Sequence, residues 1–173
     1  MFCTVTLKRL LIKVPHTRLI SKLLSYGISN LVINWIQDLI TGRRYRVRVN
    51  LSYSPWSWVT SGIPQGSVLG PILFLLFIND LIERCATYSE IYLFVDDAKL
   101  FSESDQEMLQ EGVDELYKWT IELLLNLNIS KCVVISFGRN VEKNPIHMYK
   151  ISGKDTDVSI KRVDTVGDSW GFL

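Results

Sequence analysis

The stretch IYLFVDDAKLF, residues 91–101, decides how this chain folds. Five apolar residues, Ile91 to Val95, run into the adjacent acids Asp96 and Asp97, and Ala98-Lys99-Leu100-Phe101 follow. This pattern predicts strand, tight turn, strand, because β-branched and aromatic residues suit a pleated surface and Asp suits a turn. Neighbouring carboxylates repel, so their placement at a hairpin tip has two readings. One is a set of hard oxygen ligands for Mg²⁺ held between protein carboxylates and a phosphate-bearing substrate. The other is an ordinary Asp-Asp turn.

Working outward, residues 104–126 space Leu109, Val113, Leu116 and Leu123 or Leu124 along one helical face, with Ser104 and Glu107 as a capping box. KCVVISF (131–137) predicts a further strand, and the tail from Gly138 reads as polar and irregular apart from a short strand at Met148–Ile151. On the other side, an apolar segment from Ser67 to about Glu83 is too long for one strand and predicts a buried helix, with Pro71 tolerated near its first turn. Ser61 to Gly70 is a loop rich in Gly, Ser and Pro, and Trp56–Thr60 a short strand after the Ser54-Pro55 turn.

RRYRVRVN (43–50) alternates as a strand does, which puts Arg44, Arg46 and Arg48 on one face and Tyr45, Val47 and Val49 on the other. A solvated strand face is one reading. A row of phosphate contacts is the other, since the run carries a single sign and spaces its cations at roughly 6–7 Å. Before it, TRLISKLLSY (17–26) predicts a helix capped by Gly27, and Ser29 or Asn30 opens a second helix that runs to Thr41 and ends at Gly42.

The 173 residues fit one domain or a piece of a larger protein, and 47% hydrophobic content excludes disorder. A net charge of +1 confines any electrostatic footprint to local patches. The longest apolar run, Ile72 to Ile78, is far short of a membrane span, and Lys and Arg interrupt the N-terminal apolar stretch, so neither a membrane anchor nor a signal peptide is predicted. Cys3, Cys85 and Cys132 are odd in number and widely spaced, which fits neither zinc nor a disulfide framework. His16 and His147 lack a nucleophile partner in sequence and read as structural.

Three segments in fixed order, SGIPQGSVLGPILFLLFINDL (61–81), YLFVDDAKLF (92–101) and LNISKCVVISFG (127–138), resemble the central and later motifs of reverse transcriptases of jockey-like non-LTR retrotransposons. The resemblance runs from about Val14 to Gly138. It implies an α+β fold, a polymerase palm-like antiparallel sheet packed on helices, with partial fingers. It implies RNA-directed DNA polymerisation by a two-metal mechanism, with two Mg²⁺ ions, dNTPs, an RNA template and a DNA primer. Asp96 and Asp97 would be metal ligands, and residues matching Pro64, Gln65 and Gly66 would lie beside the nascent pair and the template. Lys131 matches a lysine proposed as a general acid, against the plainer reading of a solvated lysine. Trp56 and Trp58 read equally as packing or as base-stacking groups, and Trp119 as packing. Ser67 and Gly70 read as a loop and helix cap.

The chain departs from this family in one decisive place. KVPH (13–16) matches the end of the first palm motif, and counting back puts its metal-binding aspartate at Thr6, its sugar-screening aromatic at Leu11 and its second acid at Ile12. No acid precedes Asp38. A neutral hydroxyl does not replace a bridging carboxylate, so the chain reads as a truncated, catalytically impaired palm with partial fingers over 1–140. Residues 141–173 read as an irregular tail or the start of a thumb. An intracellular setting, nuclear or cytoplasmic, is expected. The rivals are a non-catalytic nucleic-acid-binding remnant on the Arg44–Arg46–Arg48 face, a decayed product without a stable fold, and a group II intron maturase.

Overall fold

The protein is represented by a computed structural model that describes residues 2–7, 10–94, 97–102, 106–136, 148–152 and 157–163. In chain order it contains β1 (Phe2–Thr6), α1 (Leu10–Lys13), α2 (His16–Ser25), α3 (Asn30–Ile40), β2 (Arg44–Tyr45), β3 (Arg48–Val49), β4 (Ser52–Tyr53) and β5 (Ser57–Trp58). There follow α4 (Leu69–Ile78), α5 (Asp80–Cys85), β6 (Glu90–Phe94), β7 (Asp97–Phe101) and α6 (Gln106–Glu122). A 3₁₀ turn at Ile129–Lys131 leads to β8 (Val133–Ile135), β9 (Lys150–Ser152), β10 (Asp157–Ser159) and β11 (Lys161–Arg162). The chain divides into two compact units, one formed by 1–8, 81–122 and 126–173, the other by 9–80 and 123–125.

The first unit is built on a five-stranded sheet of order β11-β8-β1-β7-β6. β1, β6, β7 and β8 pair antiparallel, as the family resemblance implies for the sheet, while β11 joins β8 in parallel. The described residues beyond Gly138 are therefore more regular than their polar composition suggests. β9 and β10 form a hairpin and β11 extends the main sheet. Period-two alternation sets the two faces. Cys3, Val5, Ala98, Leu100 and Val134 are buried and share one face through the pairs Cys3↔Leu100, Val5↔Ala98 and Cys3↔Val134. α6 packs on this face with Leu109, Val113, Leu116 and Trp119 buried, and a Cβ on its Gly112 would come 3.1 Å from Leu100. The inward residue at the helix end is Leu123; Leu124 turns outward with φ +57°. Ser104 and Phe137 lie outside the described residues.

In the second unit α2 packs against α3 and α4, burying Leu19, Leu23, Ile33, Ile36 and Ile40. The apolar segment from Leu69 is not one buried helix. It breaks at Asn79 into α4 and α5, and α4 buries Leu73, Phe74, Phe77 and Ile78 while Ile72 and Leu75 are exposed. Lys22 caps the end of α4 by donating to the Phe77 carbonyl and to Asp80. The predicted 43–50 strand is also divided. β2 pairs with β5 and β3 with β4, and between them Val47 N–H donates to Ser54 Oγ at 2.9 Å rather than to a strand carbonyl. Pro55, which has no N–H, cannot continue the ladder there. Asn50, at φ +54°, turns the inner hairpin.

Gly62 holds the loop before α4 against residues 11–16. Its N–H donates to Val14 O (2.8 Å), Ile63 N–H donates to Leu11 O (2.9 Å), and Ser61 Oγ donates to Ile12 O (3.2 Å). The Gly62 carbonyl accepts from His16 Nε2 at 2.9 Å and from Arg43 Nη2 at 3.3 Å, a structural task for both side chains. Gly62 has φ +89°, and an added Cβ would lie 2.5 Å from the Ile12 carbonyl oxygen. Gly66, at φ +81°, has nothing within 4 Å of such a Cβ. Gly66→Ala should therefore cost about 1 kcal/mol, the left-handed backbone alone. Gly62→Ala should lower stability by clearly more, because backbone must move as well; urea midpoints of the two variants check the order.

All three cysteines are buried and unpaired. Burial pushes the Cys85 thiol up to about 12, with the Glu115 charge adding to the rise and Arg84 opposing it, and burial likewise raises Cys3 and Cys132. A thiol reagent such as DTNB should leave all three unlabelled in the native chain and label them on unfolding.

Candidate functional site

The hairpin of β6 and β7 forms as the sequence predicts, but Asp97 belongs to β7, paired to Phe94 across the hairpin, rather than to the turn. Asp96 lies outside the described residues. Asp97 is half-buried at the first position of β7, and the antiparallel register of β1 sets Thr6 directly opposite it. Phe94, Asp97 and Thr6 thus form one cross-strand row, on the face opposite Val5, Ala98 and Leu100. Thr6 is buried, and its carbonyl accepts the Asn128 N–H at 2.8 Å, which ties β1 to the turn before β8. Cys132 belongs to the same neighbourhood. Burial raises its thiol pKa, a hydrogen bond with the Thr6 backbone opposes the rise, and the Asp97 charge adds to it. Cys132 carried no site signal in the sequence, since a lone buried cysteine is an ordinary core residue.

The family resemblance expects a third acid at position 6. Mg²⁺ takes oxygen donors, carboxylates above all, and a threonine hydroxyl is neutral. Among the described residues no group of three or more His, Cys, Asp or Glu side chains could hold a metal ion. Of the two expected ligands, Asp96 and Asp97, only Asp97 is among the described residues. Lys131 is exposed in the 3₁₀ turn rather than at the start of the strand, which begins at Val133.

In the other unit, Pro64 is half-buried and its carbonyl accepts from Ser67 Oγ at 2.8 Å, while Ser67 Oγ accepts the Gly70 N–H at 3.0 Å. Ser67 and Gly70 therefore serve the loop and the start of α4. Gln65 and Gly66 are exposed, and Gln65 makes no side-chain hydrogen bond among the described residues. The tight backbone approach expected of this loop is used by Gly62 against the chain's own Ile12; Gly66 alone keeps open space.

Arg44, Arg46 and Arg48 are exposed on the β2–β5 ribbon, and their guanidinium groups lie over rings. Arg44 is 5.1 Å from the Trp58 ring centre and 5.9 Å from Trp56. Arg46 is 4.7 Å from Trp56 and 3.9 Å from Tyr53, and Arg48 is 5.5 Å from Tyr53. Trp56 and Trp58 are 57% and 62% exposed, so neither ring belongs to the core of the described residues. Trp119, fully buried, is a packing residue as expected. Tyr53 was invisible as part of this face because the Ser54-Pro55 break disguises its register with the arginines.

Residues 1–161 match the family described as reverse transcriptase (RNA-dependent DNA polymerase). The chain belongs to the reverse transcriptase family. It is 25% identical over 180 residues to the RNA-directed DNA polymerase from mobile element jockey of Drosophila funebris, a match covering 91% of this chain and 20% of that protein. It is 30% identical over 139 residues to the probable RNA-directed DNA polymerase from transposon BS of Drosophila melanogaster, covering 70% of this chain and 14% of the relative. The chain thus spans about a fifth or less of the length of these relatives. Its fold resembles apo telomerase from Candida tropicalis truncated from its C-terminal domain, with a TM-score of 0.63 at 14% identity over 92% of this chain and 34% of that one. Among the described residues no helix is long and apolar enough to cross a membrane.

Thr6→Asp tests the row directly. A carboxylate buried opposite Asp97 should lower stability by more than about 1 kcal/mol in the absence of divalent ions, through like-charge repulsion and the cost of burying a charge. Mn²⁺ or Mg²⁺ should then raise the melting temperature of the variant more than that of the native chain; equal shifts would show that position 6 does not face a cation site.

Proposed function

We propose that residues 1–140 are the palm and part of the fingers of a non-LTR retrotransposon RNA-directed DNA polymerase, and that nucleotidyl transfer is lost in this chain. Residues 141–173 would begin the connection to a thumb. In intact members of the family, two Mg²⁺ ions would bridge the incoming dNTP and the primer hydroxyl. Here Asp96 and Asp97 would supply two of the three ligand positions, and Lys131 would approach the triphosphate. Pro64, Gln65 and Gly66 would border the nascent pair on the RNA template, and Arg44, Arg46 and Arg48 would contact nucleic-acid backbone. Work on an RNA template and DNA primer would place the protein inside the cell, in nucleus or cytoplasm.

The observation that carries the reading is the Thr6↔Asp97 register. It puts a neutral hydroxyl where the family resemblance calls for the third carboxylate. A missing metal ligand should cost several kcal/mol of transition-state stabilisation, more than about a thousandfold in rate. A second reading, a nucleic-acid-binding protein without chemistry, is favoured by the exposed arginine face, which needs no metal to act.

Primer extension separates these possibilities from an active enzyme. With an annealed DNA primer on an RNA template, dNTPs and Mg²⁺, the chain should give no product above the enzyme-free blank while still binding the primer–template at low salt. Extension by the native chain would overturn the proposal of lost transfer.

A further inference from the structure

Residues 39–79 contain Arg43, Arg44, Arg46 and Arg48 and no Asp or Glu, in a chain whose net charge is only +1. Arg43 is committed to the carbonyls of Ile40 and Gly62. The other three interleave with rings in the order Trp58, Arg44, Trp56, Arg46, Tyr53, Arg48, so that cation and ring alternate along one exposed face of the ribbon. Among the described residues none of these three arginines has a carboxylate partner. Arg48 is further oriented by donating from Nε to the Asn50 carbonyl at 3.0 Å.

We propose that this ladder is a stacking platform for a single-stranded segment of nucleic acid, an inference that rests on reading the chain as nucleic-acid-binding. A guanidinium lying over a ring uses its flat face there and keeps N–H groups at its edge for phosphate oxygens. The exposed remainder of each ring then offers a surface to a base. In a duplex the bases are already stacked on their neighbours, so only the phosphates would meet this face and the rings would stay in water. An unpaired strand offers both phosphates and free base faces, which matches an alternating row of cations and rings. RNA and DNA share this chemistry, and the ladder reads base faces rather than base edges, so little sequence preference follows.

The test is a titration of the full chain with fluorescently labelled 20-mers: single-stranded RNA, single-stranded DNA and a blunt duplex of the same sequence, at low and moderate salt. The native chain should bind either single strand at least about fivefold more tightly than the duplex, with quenching of tryptophan fluorescence. Trp56→Leu/Trp58→Leu should remove most of that preference, and Trp56→Phe/Trp58→Phe, which keeps the rings, should restore it. Both variants should melt cooperatively, and the ranking of the three probes on the native chain needs no variant at all. Equal binding of duplex and single strand, with the Leu variant unchanged, would overturn the stacking platform while leaving a nucleic-acid-binding chain. Polyglutamate competing as well as nucleic acid would overturn it too, by showing that charge alone suffices. No binding of any probe at low salt would overturn both this inference and the reading beneath it.

Discussion

Strand β1 is hydrogen-bonded along both edges, to β7 and to β8, and the first unit depends on that register. A slip of one residue would turn Cys3 and Val5 out of the face they share with Ala98 and Leu100 and put Thr4 and Thr6 in their place, because successive side chains of a strand point to opposite faces. Burying a Val, Leu or Phe side chain is worth roughly 1.5–3 kcal/mol, so the row that includes Val5, Leu100 and Val134 under α6 strongly resists such a slip. The same register leaves no freedom for position 6. With Cys3 opposite Leu100, Thr6 must stand opposite Asp97.

That constraint separates fold from chemistry. Threonine is β-branched and suits a central strand better than aspartate does, and it brings no second negative charge beside Asp97. Where the resemblance expects an acid, this chain therefore has a residue that favours its own sheet and disfavours a pair of divalent ions. Membership of the reverse transcriptase family is shown by the match over residues 1–161, which a threonine at position 6 does not prevent.

The arginine ladder follows a different logic. An exposed cation–π contact contributes about 0.5–1 kcal/mol, and fixing an arginine side chain costs up to about 2 kcal/mol of rotamer entropy, so the ladder is not accounted for by stability alone. Two-residue strands and a Ser54-Pro55 interruption give the ribbon little backbone pairing of its own. What the arrangement does achieve is a set of guanidinium groups set over rings, in a stretch with no acid between Asp38 and Asp80.

Much was legible in order and type of residue. Helices α2, α3 and α6, the β6–β7 hairpin and the Gly27 cap follow from periodicity and turn chemistry, which are local and survive without tertiary context. The 43–50 segment was legible as extended but not as broken, because the break comes from a proline five residues beyond it, across the hairpin. The apolar helix was legible as a helix, yet its uniform composition hid which side would be buried and where Asn79 would interrupt it. Strands β10 and β11 were not legible, since short polar strands carry no alternation and gain their order only from the partner they pair with. The sequence by itself determined the family motifs, the absence of an early acid and the single-sign arginine run, because these are matters of residue identity. Only the tertiary structure decided that Thr6 faces Asp97, that the freedom of Gly62 serves Ile12, and that Arg44, Arg46 and Arg48 alternate with Tyr53, Trp56 and Trp58. Each of those depends on pairing between segments distant in the chain, and pairing is set by the burial of a whole face rather than by any one residue in it.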